Sequence, residues 1–233
     1  MSANGANGVT AVLVHGAGHT AAVWRETQAA LRHPSLAVDL PGRGDRPADI
    51  TTVTVTEAAD AVVADVEAHV EGDVVLVGHS VAATLLPAAA ARLGARVRHL
   101  VFVAGIAAPD GEPPVDVFLP GRREQVDARL AELRAEHGGQ TLEAVGAKVG
   151  LAIDSLNLAS QPMAWAGVPP ALPRTFVRCL QDPIQPRELQ DAFIAHCGAG
   201  TVVEIDSGHT PALDAPTELA ALLDDILAAS GRP

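Results

Sequence analysis

Short runs dense in β-branched residues alternate along this chain with longer stretches in which apolar residues return every three or four positions. Thr10 to Val14, Leu36 to Asp39, Asp73 to Val77 and Arg98 to Val103 read as strands. Ala21 to Leu31, Glu57 to Val70 and Val81 to Leu93 read as helices between them. Thr54 and Glu57 stand three residues apart ahead of the second helix, the spacing of a capping box. Runs such as AVLV and VVLV are apolar at successive rather than alternate positions, so both faces of those strands should be covered. A mostly parallel sheet between two helical layers follows, which makes the fold class α/β.

The rhythm stops after Gly105. Residues 106–172 contain no convincing strand but a Pro/Gly-rich opening, an Arg/Glu-rich helix from about Arg122 to His137, and Gly138 and Gly139 to end it. This stretch reads as a helical lid inserted into a core made of residues 1–105 and 173–233. Arg174 to Cys179 restarts the sheet, Glu188 to Ala195 is helical, Thr201 to Ile205 is the last strand, and Thr217 to Ala229 closes the core with a helix. Six strands are expected in all.

Composition narrows the partners. With 233 residues, 48% of them hydrophobic and 19% charged, the chain can bury a core of its own. Its net charge of −12, with Lys148 as the single lysine, works against binding nucleic acid or anionic membranes through phosphate neutralisation. Aromatic residues are 3%, with no Tyr, so stacking platforms for single-stranded nucleic acid are scarce as well. A small-molecule substrate is the expected partner. Cys179 and Cys197 fit no four-ligand zinc pattern and read as reduced thiols; Met1 to Gly8 lacks the features of a secretory signal and reads as a frayed tail. No stretch reaches the roughly 20 apolar residues of a membrane span, and a cytoplasmic protein is expected.

The chemistry concentrates at strand ends. Gly78-His79-Ser80-Val81-Ala82 follows a buried strand and opens an apolar helix, the setting of a G-x-S-x-G nucleophile elbow, with Ala82 as a mild departure. A serine that merely caps the helix is the alternative. A serine hydroxyl becomes a useful nucleophile only when a histidine takes its proton and an acid orients that histidine. His209 follows the last strand, between Gly208 and Pro211, and Asp182 follows the strand before it. Asp110, Asp206 and Asp214 are competing acids, but Asp182 comes from a separate strand end and can approach the imidazole from the side. The oxyanion would be held by the backbone N–H groups of Val81, after the serine, and Ala17, in the glycine-bearing loop His15 to His19.

That loop supports two rival readings. His15 and His19 resemble a metal pair, but the glycines between them break the helix that would align them, so no metal is expected. Gly16, Gly18 and Ala21 also fit a G-x-G-x-x-A dinucleotide fingerprint, with Asp39 at the next strand end, which would make the protein a nicotinamide-dependent oxidoreductase. That reading leaves Ser80, Asp182 and His209 unused.

The segments VLVHGAGHTAAVW, LAVDLPGRGD, VVLVGHSVAA, HLVFVAGIAAPDG, RTFVRCLQDPIQP and EIDSGHTPALDAPTEL, in this order, resemble the α/β-hydrolase superfamily over nearly the whole chain. Within it they are similar to the small esterases related to plant salicylate-ester hydrolases and hydroxynitrile lyases. The resemblance implies a core sheet lacking the first two antiparallel strands, a helical lid, Ser80 as nucleophile, Asp182 as acid, His209 as base, and no cofactor. Cyanohydrin-cleaving relatives typically carry Thr where this chain has Gly16 and Lys where it has Thr210, so ester or lactone hydrolysis is expected rather than a lyase reaction. A receptor that keeps the three residues without turnover is a further alternative. His19, Phe118, Met163 and Trp165 are the candidate substrate contacts, giving an apolar pocket; Arg122 and Arg123 are expected on a solvated helix face. Oligomeric state is not legible in the sequence.

Overall fold

The computed structural model describes residues 8–231, so all of the N-terminal stretch read as a tail except Gly8 lies outside the described residues. Six strands, β1 (Val9–Val14), β2 (Ser35–Val38), β3 (Asp73–His79), β4 (Val97–Val103), β5 (Arg174–Cys179) and β6 (Thr201–Ile205), form one sheet. Its order is β2-β1-β3-β4-β5-β6 and every neighbouring pair is parallel. The helices are α1 (Arg25–Ala30), α2 (Val55–His69), α3 (Leu86–Leu93), α4 (Pro114–Phe118), α5 (Arg123–His137), α6 (Leu142–Val145), α7 (Ala147–Asn157), α8 (Arg187–Cys197), α9 (Pro211–Asp214) and α10 (Pro216–Ser230).

Because successive strand residues point to opposite faces, the continuous apolar runs build two cores. Val12, Val14, Leu76, Leu100, Phe102 and Phe176 share one with residues of α2, α3 and α8. Ala11, Leu13, Val75, Val77, Val101 and Val177 share the other with Trp24 and with Leu219, Leu223 and Leu227 of α10. Strand order reverses direction between β1 and β3, and in open parallel sheets the crevice at the carboxyl ends beside such a reversal is where ligands bind. The loop after β1 and the turn after β3 both open there.

Two helices depart from expectation. The helix expected to begin at Val81 is a 3-10 segment over Ser80–Leu85 that gives way to α3 only at Leu86. Pro87 is the cause: inside an α-helix its ring would collide with the carbonyl four residues earlier, whereas in a first turn it is well placed, so the α-helix starts beside it. Ala21 to Leu31 likewise divides into a 3-10 turn, Ala21–Trp24, and α1. The capping box at α2 is complete, with Glu57 N–H donating to Thr54 Oγ and Thr54 N–H to the Glu57 carboxylate.

Between β4 and β5 lie α4 to α7, without a strand among the described residues. Backbone bonds tie this insertion to the segment after β2: Leu142 N–H donates to Gly42 O at 2.8 Å and Ile50 N–H to Gln140 O at 3.1 Å. Asn157 Nδ2 adds a bond to Val53 O at 2.7 Å and Arg134 Nε one to Thr51 O at 3.0 Å.

Candidate active site

β3 carries the chain straight to Ser80, whose φ of +52° lies in the left-handed region that non-glycine residues rarely occupy. Such strain persists only where the surroundings enforce it, and here it lifts the serine side chain off the end of the sheet. Ser80 O accepts the N–H of Ile106 at 3.2 Å, and Ala82, the departure from glycine in the motif, is fully buried without displacing the turn.

His209, on the loop after β6, meets Ser80 from the far end of the sequence: its Nε2 lies 2.9 Å from Ser80 Oγ. Its Nδ1 lies 2.7 Å from Asp182 Oδ2. With a neutral imidazole the arrangement reads in one direction, Ser80 O–H donating to Nε2 and Nδ1–H donating to the carboxylate. Asp182 itself follows β5, and its other oxygen accepts the N–H groups of Ile184 at 2.8 Å and Gln185 at 3.0 Å. Burial pushes the Asp182 carboxyl upward, but the bonds from His209, Gln185 and Ile184 outweigh it and hold the group below the usual carboxylate range. The competing acids lie elsewhere: Asp110 accepts the Trp165 N–H, Asp206 pairs with Gln181, and Asp214 is exposed on α9.

Above Ser80 opens a cavity of about 280 Å³ lined by Ala17, His19, Val81, Ile106, Phe118, Leu151 and Ile184, among others. Its lining contains no Lys, Arg, Asp or Glu among the described residues. Ala17 and Val81, the two expected backbone donors, both face this space together with Ser80 and His209.

The sequence profile described as "Alpha/beta hydrolase family" matches residues 11–222. The chain belongs to the alpha/beta hydrolase family. Over 112 residues it is 34% identical to a protein of Arabidopsis thaliana named putative methylesterase 14, chloroplastic, covering 46% of this chain and 32% of that protein. Putative methylesterase 12 of the same plant matches at 32% with the same shares, so the match spans about a third of these curated relatives' length. Among solved structures, a novel pyrethroid hydrolase from Sphingobium faniae JZ-2 superimposes with a TM-score of 0.74 at 23% identity, covering 95% of this chain and 98% of that one. An extracellular alpha/beta-hydrolase from a Paenibacillus species, described as sharing structural and functional homology with tobacco salicylic acid binding protein 2, gives 0.74 at 20% identity, with 97% and 100% covered. At these identities the likeness is one of fold.

The glycine-bearing loop after β1 is shaped by its contacts with the turn at Ser80. A side chain on Gly16 would stand 2.6 Å from His79 Nδ1 and 3.2 Å from Ser80 Cβ, so only glycine lets the loop lie against the serine. Gly18, at φ +69°, turns the chain so that His19 N–H returns to Gly16 O at 3.4 Å. Asp39 is occupied locally, accepting the Ala21 N–H at 2.6 Å. His15 is fully buried with both nitrogens engaged: Nδ1–H donates to Gly16 O at 2.9 Å and Nε2 accepts Leu40 N–H at 3.3 Å. Burial, with Arg43 nearby, pushes His15 down to about 3, and burial with His209 nearby does the same to His79. His19 is also lowered, by burial and then by His209.

Of the candidate substrate contacts, His19 and Phe118 line the cavity and Met163 and Trp165 do not. Met163 is buried in the core and its sulfur accepts the N–H of Ala108 at 3.1 Å. Trp165 turns toward the sheet, donating to Ala108 O at 3.0 Å with the Arg174 guanidinium 4.8 Å over its ring. Their size within the insertion points to the pocket; packing under the insertion uses them instead. Arg122 is exposed, Arg123 pairs with Asp116 and Asp127, and Lys148 is exposed on α7. The unexpected lining residues Leu151, Ser155 and Ala159 recur every four positions from α7 onward. That helical stripe is visible in the sequence, though nothing there says which element it faces.

Proposed function

We propose that the protein is a serine hydrolase of small, uncharged, largely apolar carboxylic esters. Ser80 Oγ attacks the ester carbonyl as His209 Nε2 takes its proton, and Asp182 holds the imidazole in the required tautomer and stabilises its positive form. The N–H groups of Ala17 and Val81 receive the negative charge that develops on the carbonyl oxygen. His209 then returns the proton to the departing alcohol, leaving an acyl group on Ser80 that water removes by the same steps.

The observation that carries this reading is the continuous Asp182–His209–Ser80 hydrogen-bond series, at 2.7 and 2.9 Å, ending on a strained serine at the floor of an apolar cavity. A lining without charged side chains favours a neutral substrate, since an ionised group would lose its hydration without gaining a partner. The small volume favours a compact acyl or alcohol part. The ester-cleaving names of the Arabidopsis methylesterases support the same chemistry. A cyanide-releasing reaction would need a cation beside the leaving anion; the single lysine, Lys148, is exposed on α7 and absent from the lining.

The test is turnover of p-nitrophenyl acetate with active-site labelling by a fluorophosphonate. Wild-type protein should hydrolyse the ester and carry the phosphonyl adduct on Ser80, and Ser80→Ala should lose both. Hydrolysis by Ser80→Ala at the wild-type rate overturns the reading. Ligand binding without any turnover would favour a receptor.

A further inference from the structure

One carboxylate joins the insertion to the loop after β1, which lines the active cavity, and to the loop after β2. Asp154, on α7, is 3% exposed and accepts the backbone N–H of Gly18 at 3.0 Å on Oδ2. The same oxygen accepts Arg43 Nη2 at 2.5 Å, and Arg43, 1% exposed, also donates to Pro41 O at 3.0 Å. Gly18 is the residue at which the loop after β1 reverses, directly beyond Ala17. A side chain there would touch Ala147 O and Leu151 of α7, so the loop lies flat against the helix. On the opposite side Gly16 rests on His79 and Ser80. The loop is therefore gripped from within by the nucleophile turn and from without by Asp154.

The pair is not what stability alone would select. Arg43 Nε is buried without a hydrogen-bond partner, and two buried charges lose hydration that apolar residues of similar size would not. Its particular feature is an acceptor aimed at one peptide N–H of the loop.

We propose that Asp154 is a positioning residue: by holding Gly18 N–H it fixes the Ala17 N–H in the place where the oxyanion forms. This rests on the ester-hydrolase reading above. Coupling of the insertion to catalysis follows, since the same helix supplies Leu151 and Ser155 to the cavity wall.

Three variants separate positioning from mere structure. Asp154→Asn keeps an acceptor for Gly18 but leaves Arg43 uncompensated. Asp154→Leu removes both functions. The double variant Arg43→Met with Asp154→Leu removes the charges together, and should recover the thermal stability that Asp154→Leu loses. If Asp154 positions the loop, kcat for p-nitrophenyl acetate and the rate of Ser80 phosphonylation follow the acceptor and not the stability. Asp154→Asn should then retain more activity than the more stable double variant. The double variant should show kcat roughly 10- to 100-fold below wild type, with KM changed by less than about threefold. A double variant with wild-type kcat overturns the proposal, as does a set of activities that simply tracks melting temperature. Failure of all three to fold makes the pair a structural clamp and overturns it too. If wild-type protein neither turns over the ester nor labels at Ser80, it is the ester-hydrolase reading that fails.

Discussion

The imidazole of His79 donates a 2.8 Å hydrogen bond to the backbone carbonyl of His209. The residue preceding Ser80 thus fixes the main chain of the histidine bonded to Ser80 Oγ, and does so across 130 residues of sequence. Burial keeps His79 neutral, and the carbonyl requires its proton on Nε2. The ring also abuts Gly16 through Nδ1 and meets Trp24 edge-on, so a single side chain touches the two loops that frame Ser80.

Replacement of His79 by Phe preserves the ring but removes the donor. The expected result is a fall in kcat of about tenfold with KM little changed, because the His209 imidazole loses alignment with Ser80 while the cavity keeps its shape. The carbonyl left without its partner should cost about 1 kcal/mol in urea unfolding. Unaltered kcat in a folded His79→Phe protein would show that the bond does not orient the base.

Stability should fall with acid. His15 and His79 lie near 3 in the folded protein against 6.5 in the unfolded chain. Between those values the unfolded state binds more protons, so protonation favours unfolding below pH 6.5 and has no effect above it. Each group contributes a slope of at most about 1.4 kcal/mol per pH unit, and the two together about 2.7. Asp182, held below its usual range, adds loss in the same direction only under stronger acid, near and below pH 4. Urea unfolding at pH 7.5, 6 and 5 should show this decline, with a shallower slope in His15→Asn, since His79 and His99, the latter lowered to about 4 by burial, still contribute. Equal stability at pH 7.5 and 5 contradicts it.

Gly16 admits no side chain at its present distance from His79. Gly16→Ala should push the loop away from Ser80, at an overpacking cost of about 1–3 kcal/mol, and lower kcat/KM at least about tenfold. Gly16→Thr, which copies the residue of cyanohydrin-cleaving relatives, should lose ester hydrolysis without gaining lyase activity. Release of cyanide from mandelonitrile by that variant would refute this.

Cys179 and Cys197 are fully buried, and burial pushes their thiols up to about 12 and about 11. Neither should react with a disulfide reagent until the protein opens, so labelling in the native state should be slow and limited by opening, and activity should be lost only as fast as label is incorporated. Rapid stoichiometric labelling of either thiol at pH 8 is the contrary result.

Strand positions were legible because a parallel strand buried on both faces must be apolar at nearly every residue, and β1, β3 and the second half of β4 meet that demand in the sequence. Ser80, His209 and Asp182 could be singled out because each follows a strand, where a tight turn or a short loop fixes the side chain locally. The start of α3 is not legible despite Pro87, since the apolar run across it hides the change from 3-10 to α geometry. Met163 and Trp165 lie outside the cavity lining, and the sequence does not show this because an apolar residue in an insertion has the same character whether it faces a substrate or the sheet beneath.

Local order of polar and apolar residues marked the strands, most of the helices and three chemically capable side chains at strand ends, because those depend on neighbours a few residues away. Folding in three dimensions decided the rest. Asp154 meets Gly18 across 136 residues, and His79 meets His209 across 130. No short-range rule relates such partners. Their meeting is a consequence of how the sheet and the insertion pack, and it is that packing which gives the loop beside Ser80 its shape.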